Sequence, residues 1–250
     1  MSGKSPIKRS DARGHNELRP VQFIPNFTRY PEGSVLIKQG NTHVLCNVTL
    51  ESGIPTWMQA QGVEGGWVTA EYAMLPRATH QRSTREVMRP ISRNQEIRRL
   101  IGRALRAAVQ LYKLPPITCI VDCDVLQADG GTRTVAITGG YVALMIALQR
   151  ELQADQPVRS ICKSQVAAVS VGWLHEQILI DLNYEEDSDA EADLNVVMNR
   201  EPAFIEVQGT AERGSIPRSA FEEMLDVAQM GIEELFRLQS ETLRSLEIEL

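Results

Sequence analysis

Ile117-Thr-Cys-Ile-Val-Asp-Cys-Asp-Val-Leu-Gln-Ala-Asp-Gly-Gly-Thr-Arg-Thr134, continued by Val135-Ala-Ile-Thr-Gly-Gly-Tyr-Val-Ala-Leu-Met145, is the stretch on which the reading of the chain turns. Ile117, Cys119, Val121, Cys123 and Val125 recur at every second position, the period of a strand with one buried face. From near Thr138, the residues Val142, Leu144, Met145, Ile146 and Leu148 predict a buried helix that ends near Leu152. Between them Gly130 and Gly131 permit a tight turn, and Thr132 and Arg133 set a hydroxyl and a guanidinium beside it. Backbone N–H groups bared by a glycine turn, next to a bidentate arginine fork, suit a phosphate. A Gly-Gly pair also serves as a plain turn; the arginine that follows is what favours the oxyanion reading.

The 250 residues carry 43% hydrophobic side chains, enough for one large domain or two halves that share a core. No apolar run is long enough to span a bilayer, and the polar opening Met1 to Pro20 lacks a secretory apolar region and cleavage site. The expectation is a cytoplasmic protein with no membrane partner. Cys46, Cys119, Cys123 and Cys162 do not have zinc-knuckle spacing and read as reduced core thiols.

The formal charge is −6, but it is unevenly distributed. Arg77 to Arg106 holds nine arginines against Glu86 and Glu96, a local +7 that leaves −13 for the remainder. A concentrated basic cleft binds a polyanion whatever the total charge, because the local field governs counterion release. Arginine outnumbers lysine 21 to 5, a bias toward fixed bidentate oxyanion contacts. Arg77, Arg82, Arg85, Arg89 and Arg93 lie in a stretch without apolar periodicity, interrupted by Pro90, and read as an arm facing nucleic-acid phosphates. The competing reading is a solvated loop.

Working outward, Ser34–Gln39 and His43–Leu50 predict a β-hairpin around Gly40-Asn-Thr. Residues 51–76, with glycines and two tryptophans, read as a long loop. Asn94–Lys113 predicts a helix whose buried stripe is Ile97, Leu100, Ile101, Ala104, Leu105, Ala108, Leu111 and Tyr112, stopped by Pro115-Pro116. A linker around Pro157 closes the first half, with the boundary near 155–160. The second half predicts strands at Ser164–Trp173, Glu176–Asn183, Leu194–Asn199 and Ala203–Gly209. A helix opens with capping-box spacing at Ser219-Ala-Phe-Glu222. Strands followed by a helix, twice, imply a mixed α/β chain of two similar halves.

Asp181 to Asp193 holds seven carboxylates in thirteen residues. Asp181 ends the apolar run Ile178-Leu-Ile180 and Asp187 follows a short turn, so the two are candidate Mg²⁺ ligands. A hydrated acidic loop is the bland alternative. Phosphate-binding arginines with carboxylates for a hard cation form the combination used in phosphoryl transfer. Signatures of P-loop, Rossmann and serine-hydrolase sites are absent.

Glu17-Leu-Arg-Pro20, Gly66-Trp-Val-Thr-Ala-Glu-Tyr72, Leu75-Pro-Arg-Ala-Thr-His80, Arg99-Leu-Ile-Gly-Arg103, Asp122 to Thr134, Asn195-Val-Val-Met198 and Glu206-Val-Gln-Gly-Thr-Ala-Glu212 occur in one order. In these motifs the chain resembles the ribonuclease PH family, from about Arg9 to Leu243. The resemblance implies an α+β fold like the second domain of ribosomal protein S5, duplicated as two βαβα-type halves in a single domain over 1–250. It implies a phosphate-dependent 3′-to-5′ exoribonuclease and nucleotidyltransferase trimming tRNA precursors, and rRNA, in a homohexamer of three dimers. It further implies phosphate binding by Gly131, Thr132, Arg133 and Arg93, guidance of the RNA 3′ end by Arg77, Arg82 and Arg85, and catalytic and Mg²⁺-binding roles for Asp181 and Asp187. Ser92 and Asn94 stand where the family has glycine and threonine, and the segment is shorter by about two residues, so Arg89 is the alternative to Arg93. A non-catalytic RNA-binding subunit of an exosome-like ring is the rival function; it would need neither Thr132-Arg133 nor the aspartates.

Overall fold

The computed structural model describes residues 7–85, 92–152 and 157–250. Arg89 and part of the expected boundary at 155–160 lie outside the described residues. The first half opens with β1 (Val21–Pro25), β2 (Gly33–Gln39) and β3 (Thr42–Ser52), of which β2 and β3 form the expected hairpin. A short helix α1 (Thr56–Ala60) and strand β4 (Trp67–Met74) follow, then helix α2 (Ser92–Ala107), strand β5 (Ile117–Gln127) and helix α3 (Thr132–Glu151). The second half contributes β6 (Val166–Leu174), β7 (Gln177–Ile180), helix α4 (Tyr184–Asp189), β8 (Ala192–Asn199), β9 (Phe204–Ala211) and helix α5 (Arg218–Arg244).

Two sheets result, one ordered β1-β2-β3-β5-β4 and the other β7-β6-β8-β9. β4 and β5 run parallel, with α2 as the crossover that a parallel pair requires, and the other pairings are antiparallel. α3 is buried from Thr134 to Leu148 and packs on β2, β3 and β5 of one sheet and β6 of the other. A helix that is apolar all round has to be enclosed in this way. α5 covers β6, β7 and β8 with one face, through Met224, Ala228, Ile232 and Leu235. Each half is thus a sheet backed by a long helix, the duplicated α+β organisation implied by the sequence.

Four local readings need correction. Residues 67–74 are strand, because Val68, Ala70 and Tyr72 face inward at period two despite the glycines before them. α2 ends at Ala107, and Tyr112, expected on its buried stripe, is 69% exposed in a separate 3-10 turn. α5 is preceded by Pro217 at its N-cap with no side-chain cap, so Ser219-Glu222 is not a capping box; Asn183 and Glu186 form that motif on α4 instead. α3 begins at Thr132, six residues before its expected start near Thr138, which matters for the site. All four cysteines are free thiols. Among the described residues, no helix is long and apolar enough to cross a membrane.

Candidate active site

Because α3 starts at Thr132, Gly131 is its N-cap, and Thr132 and Arg133 occupy its first turn. Gly130 and Gly131 both have positive φ, 75° and 64°, a conformation that glycine adopts without Cβ strain. Consecutive left-handed residues ahead of a helix N-terminus aim unpaired N–H groups at one place, where the helix dipole also favours an anion. A Cβ on Gly130 would lie 2.3 Å from the Leu182 carbonyl oxygen, so the turn sits directly against the Asp181–Asn183 backbone of the second half. Two stretches remote in sequence are thereby brought into contact at the glycine.

Thr132 shares a hydrogen bond with the buried Tyr72 hydroxyl, Oγ1 to Oη 2.8 Å. Burial raises the Tyr72 phenol above its usual value, against the hydrogen bond with Thr132 and the charges of Arg93 and Arg133, so it remains a neutral hydroxyl. Arg133, one-fifth exposed, donates to Gln208 Oε1 at 3.2 Å and lies 3.6 Å from Glu96 Oε1. Arg93 is exposed in the first turn of α2. Its charge reaches both Tyr72 and Asp187.

Asp187 is exposed on α4, whose start is fixed by the capping box: Asn183 Oδ1 accepts from the Glu186 N–H at 2.9 Å, and Glu186 Oε2 accepts from the Asn183 N–H at 3.0 Å. The surrounding protein raises the Asp187 carboxyl above the usual carboxylate range, opposed by Arg133, Arg93 and Arg19. Asp193, half-buried on β8, is also raised, first by burial and then by the charge of Asp187. Asp193 was counted in the acidic stretch without a role; its position in a strand beside the Asp187 helix is what sequence spacing does not convey.

Asp181 differs from expectation. It is 1% exposed, and Arg19 donates to both its oxygens, Nη2 to Oδ1 at 2.6 Å and Nε to Oδ2 at 3.0 Å, with the Arg19 N–H adding 2.7 Å to Oδ2. Burial would raise its carboxyl, but the charge and hydrogen bonds of Arg19 hold it below the usual range. Arg13 Nη1 stands 3.7 Å from Oδ2. With both oxygens so committed, Asp181 does not fit as a metal ligand; it anchors the segment that carries Asp187. Arg19 also donates to Thr42 at 3.3 Å and to the Asp129 carbonyl, binding the glycine turn to the same node. Arg9 secures the far side, with Nε and Nη2 each 2.8 Å from the Glu186 carboxylate.

Arg77, Arg82 and Arg85 are exposed on the loop after β4. The loop is tied to the glycine turn by the Ala128 N–H, which donates to the Ala78 carbonyl at 2.8 Å. The structure therefore gathers Gly131, Thr132, Arg133, Arg93 and Asp187 and leaves Asp181 behind the wall. The arginines of the N-terminal segment, Arg9, Arg13 and Arg19, are the functional residues that sequence reasoning passed over; their one signal is three arginines clustered before an apolar strand.

Among the described residues no group of three or more His, Cys, Asp or Glu is placed to hold a metal. Mg²⁺ keeps most of its waters and takes one or two carboxylates with substrate phosphate. Asp187, with Asp193 as the neighbour whose charge it perturbs, fits that limited demand.

A helix N-terminus with an adjoining guanidinium, faced by a carboxylate across the seam of two sheets, defines a phosphate-handling α+β protein. A family model described as "3′ exoribonuclease family, domain 1" matches residues 17–148, and its "domain 2" matches residues 164–231. The chain is 53% identical to Ribonuclease PH of Synechococcus sp. (strain JA-3-3Ab) over 94% of its own length and 98% of the relative. It is 49% identical to Ribonuclease PH of Bacillus mycoides (strain KBAB4) over 94% and 96%. The chain belongs to the ribonuclease PH proteins of the 3′ exoribonuclease family. Its fold is shared with rice (Oryza sativa) Rrp46, at TM-score 0.75 and 19% identity over 94% of this chain and 100% of that one. It is shared also with the Archaeoglobus fulgidus exosome with RNA bound to the active site, at 0.74 and 24% over 92% and 91%.

Proposed function

We propose that this protein shortens RNA from its 3′ end by phosphorolysis, acting on tRNA precursors and rRNA. The observation that carries the reading is the meeting of the Gly131-Thr-Arg helix start with Arg93 and the carboxyl of Asp187. Inorganic phosphate, held by the α3 N-terminus, Thr132, Arg133 and Arg93, attacks the terminal phosphodiester phosphorus. The new phosphate–oxygen bond completes a nucleoside 5′-diphosphate, and the bond to the preceding 3′-oxygen breaks. That oxygen takes up a proton, and Asp187 is the group we assign to assist that transfer. The reverse reaction adds a nucleotide from a diphosphate. Preorganised donors on the phosphate stabilise the charge of the transition state.

Asp181 is reassigned from catalysis and metal binding to positioning, since its oxygens belong to Arg19. Mg²⁺, bound at Asp187 with Asp193 beside it, would offset negative charge on the reacting phosphates. Arg77, Arg82 and Arg85 would lead the RNA backbone toward the turn, and a homohexamer of three dimers is the assembly we propose. A non-catalytic ring subunit leaves the arrangement of Thr132, Arg133 and Asp187 without a purpose.

The test is product analysis on 3′-tailed RNA in Mg²⁺ buffer with and without inorganic phosphate. Phosphate-dependent release of nucleoside diphosphates is expected; monophosphates released without phosphate would establish hydrolysis instead. Arg133→Ala should lower phosphate-dependent turnover by about 10²–10³-fold, the scale of losing one charged donor, while RNA binding is largely retained. Normal phosphate dependence in that variant refutes the assignment.

A further inference from the structure

Tyr184 is the first residue of α4 and is 53% exposed, although its backbone is hydrogen-bonded on both sides. Its N–H donates to Asp129 Oδ1 at 3.1 Å, the preceding Asn183 is the N-cap, and the Leu182 carbonyl rests on Gly130. Asp129 Oδ2 accepts in turn from Asn41 at 3.1 Å. The aromatic ring is therefore fixed at its root to the phosphate turn itself. Asp187 lies three residues further along the same helix, the spacing that puts two side chains on one face.

The second ring at this place comes from the arginine loop. His80, exposed between Arg77 and Arg82, has its ring centroid 6.1 Å from that of Tyr184, with the planes inclined at 56°. A single exposed aromatic is ordinary on a protein surface. Two rings from separate elements, one anchored to the phosphate turn and the other within the basic loop, are not accounted for by packing, because neither is buried. Phosphate contacts hold an RNA strand but leave its last base unsupported, and aromatic faces support bases of any sequence.

We infer that Tyr184, flanked by His80, is the platform on which the 3′-terminal nucleobase stacks, setting the scissile phosphate against the Gly131–Arg133 turn. The inference rests on the proposed phosphorolysis for its direction, in that the terminal nucleotide is the one removed. Tyr184 is a positioning residue here, acting on the base and not on the reacting atoms. Stacking reads the π-face, so the platform accepts all four bases.

The experiment uses the full-length protein and RNA whose 3′-terminal base is 2-aminopurine, mixed without phosphate, followed by steady-state trimming with phosphate. Wild-type protein should quench the fluorophore on binding. Tyr184→Ala and Tyr184→Leu should lose the quenching and raise the KM for RNA by about 5- to 150-fold, the range of one base–aromatic stack. The KM for phosphate should not change, and Tyr184→Phe should restore both readouts. RNA ending in an abasic nucleotide separates stacking from a structural effect. The wild type should handle it as poorly as the Leu variant, which should itself be indifferent to the missing base. Unchanged quenching in Tyr184→Leu overturns the inference, as does a defect of equal size on the abasic RNA. If no diphosphate is released by the wild type while quenching follows Tyr184, the proposed reaction fails and the platform stands.

Discussion

Asp181 has a φ of 53°, a left-handed conformation that costs a residue with a Cβ about 1–3 kcal/mol. What offsets this is Arg19, whose backbone and guanidinium together address both carboxylate oxygens. Asp181→Asn would leave the buried guanidinium without its counter-charge, a loss of about 3–5 kcal/mol at neutral pH. Because the folded-state carboxyl is held below its unfolded value, the stabilisation is complete above the unfolded pKa and is lost as pH falls through the folded one. Denaturant unfolding of parent and variant should therefore show a gap that is widest at neutral pH and closes in acid. A constant gap would contradict the assigned pairing. The cluster Gly131, Thr132 and Arg133, to which phosphate binding is proposed, was legible because its residues are consecutive and chemically distinctive. Arg19 was not, since it is 162 residues from its partner and nothing in local spacing reports such a contact.

At the scale of elements, the hairpin β2–β3, strand β5 and the stripe of α2 followed from periodicity, whereas α3 and β4 show where periodicity loses its meaning. α3 is enclosed on all sides, so no amphipathic edge marks its start; the Gly130-Gly131 turn marks it instead. β4 was hidden behind the glycines that lead into it. Two sequences fit the capping box, Asn183–Glu186 and Ser219–Glu222, and the choice between them was made by tertiary contacts: Arg9 fixes Glu186, and Pro217 takes the N-cap of α5. The loop after β4 carries its arginines outward, consistent with a role in holding an extended polyanion. Replacing Arg77, Arg82 and Arg85 together by alanine should flatten the dependence of log binding constant on log salt by about 0.7 per lost single-strand phosphate contact. Fluorescence titrations over a salt series would measure it, and a slope unchanged from wild type would remove the loop from the RNA path.

Across the whole molecule, among the described residues, the two sheets end at β1 and β4 and at β7 and β9, with the β7 edge partly covered by the His15 carbonyl, which accepts from the Ile180 N–H. On β9, Phe204 is 49% and Val207 36% exposed. Open edges with apolar side chains are a hazard for a monomer, and closed self-association covers them without leading to fibres. Native mass spectrometry at micromolar concentration should accordingly find six copies as the dominant species; a stable monomer would dismiss the proposed ring. The duplicated architecture was readable from the order of strands and helices, but not the seam between the halves, which depends on backbone contact between Gly130 and Leu182.

That seam has a consequence for how the protein is born. Arg19 leaves the ribosome early, yet the carboxylate that orients it and the helix that bears Asp187 belong to the last third of the chain. A nascent polypeptide stalled before residue 181 has the glycine turn but no opposing wall. Assembly of the site therefore waits on the arrival of the late segment, and a chain cut short before Asp181 should carry no complete site.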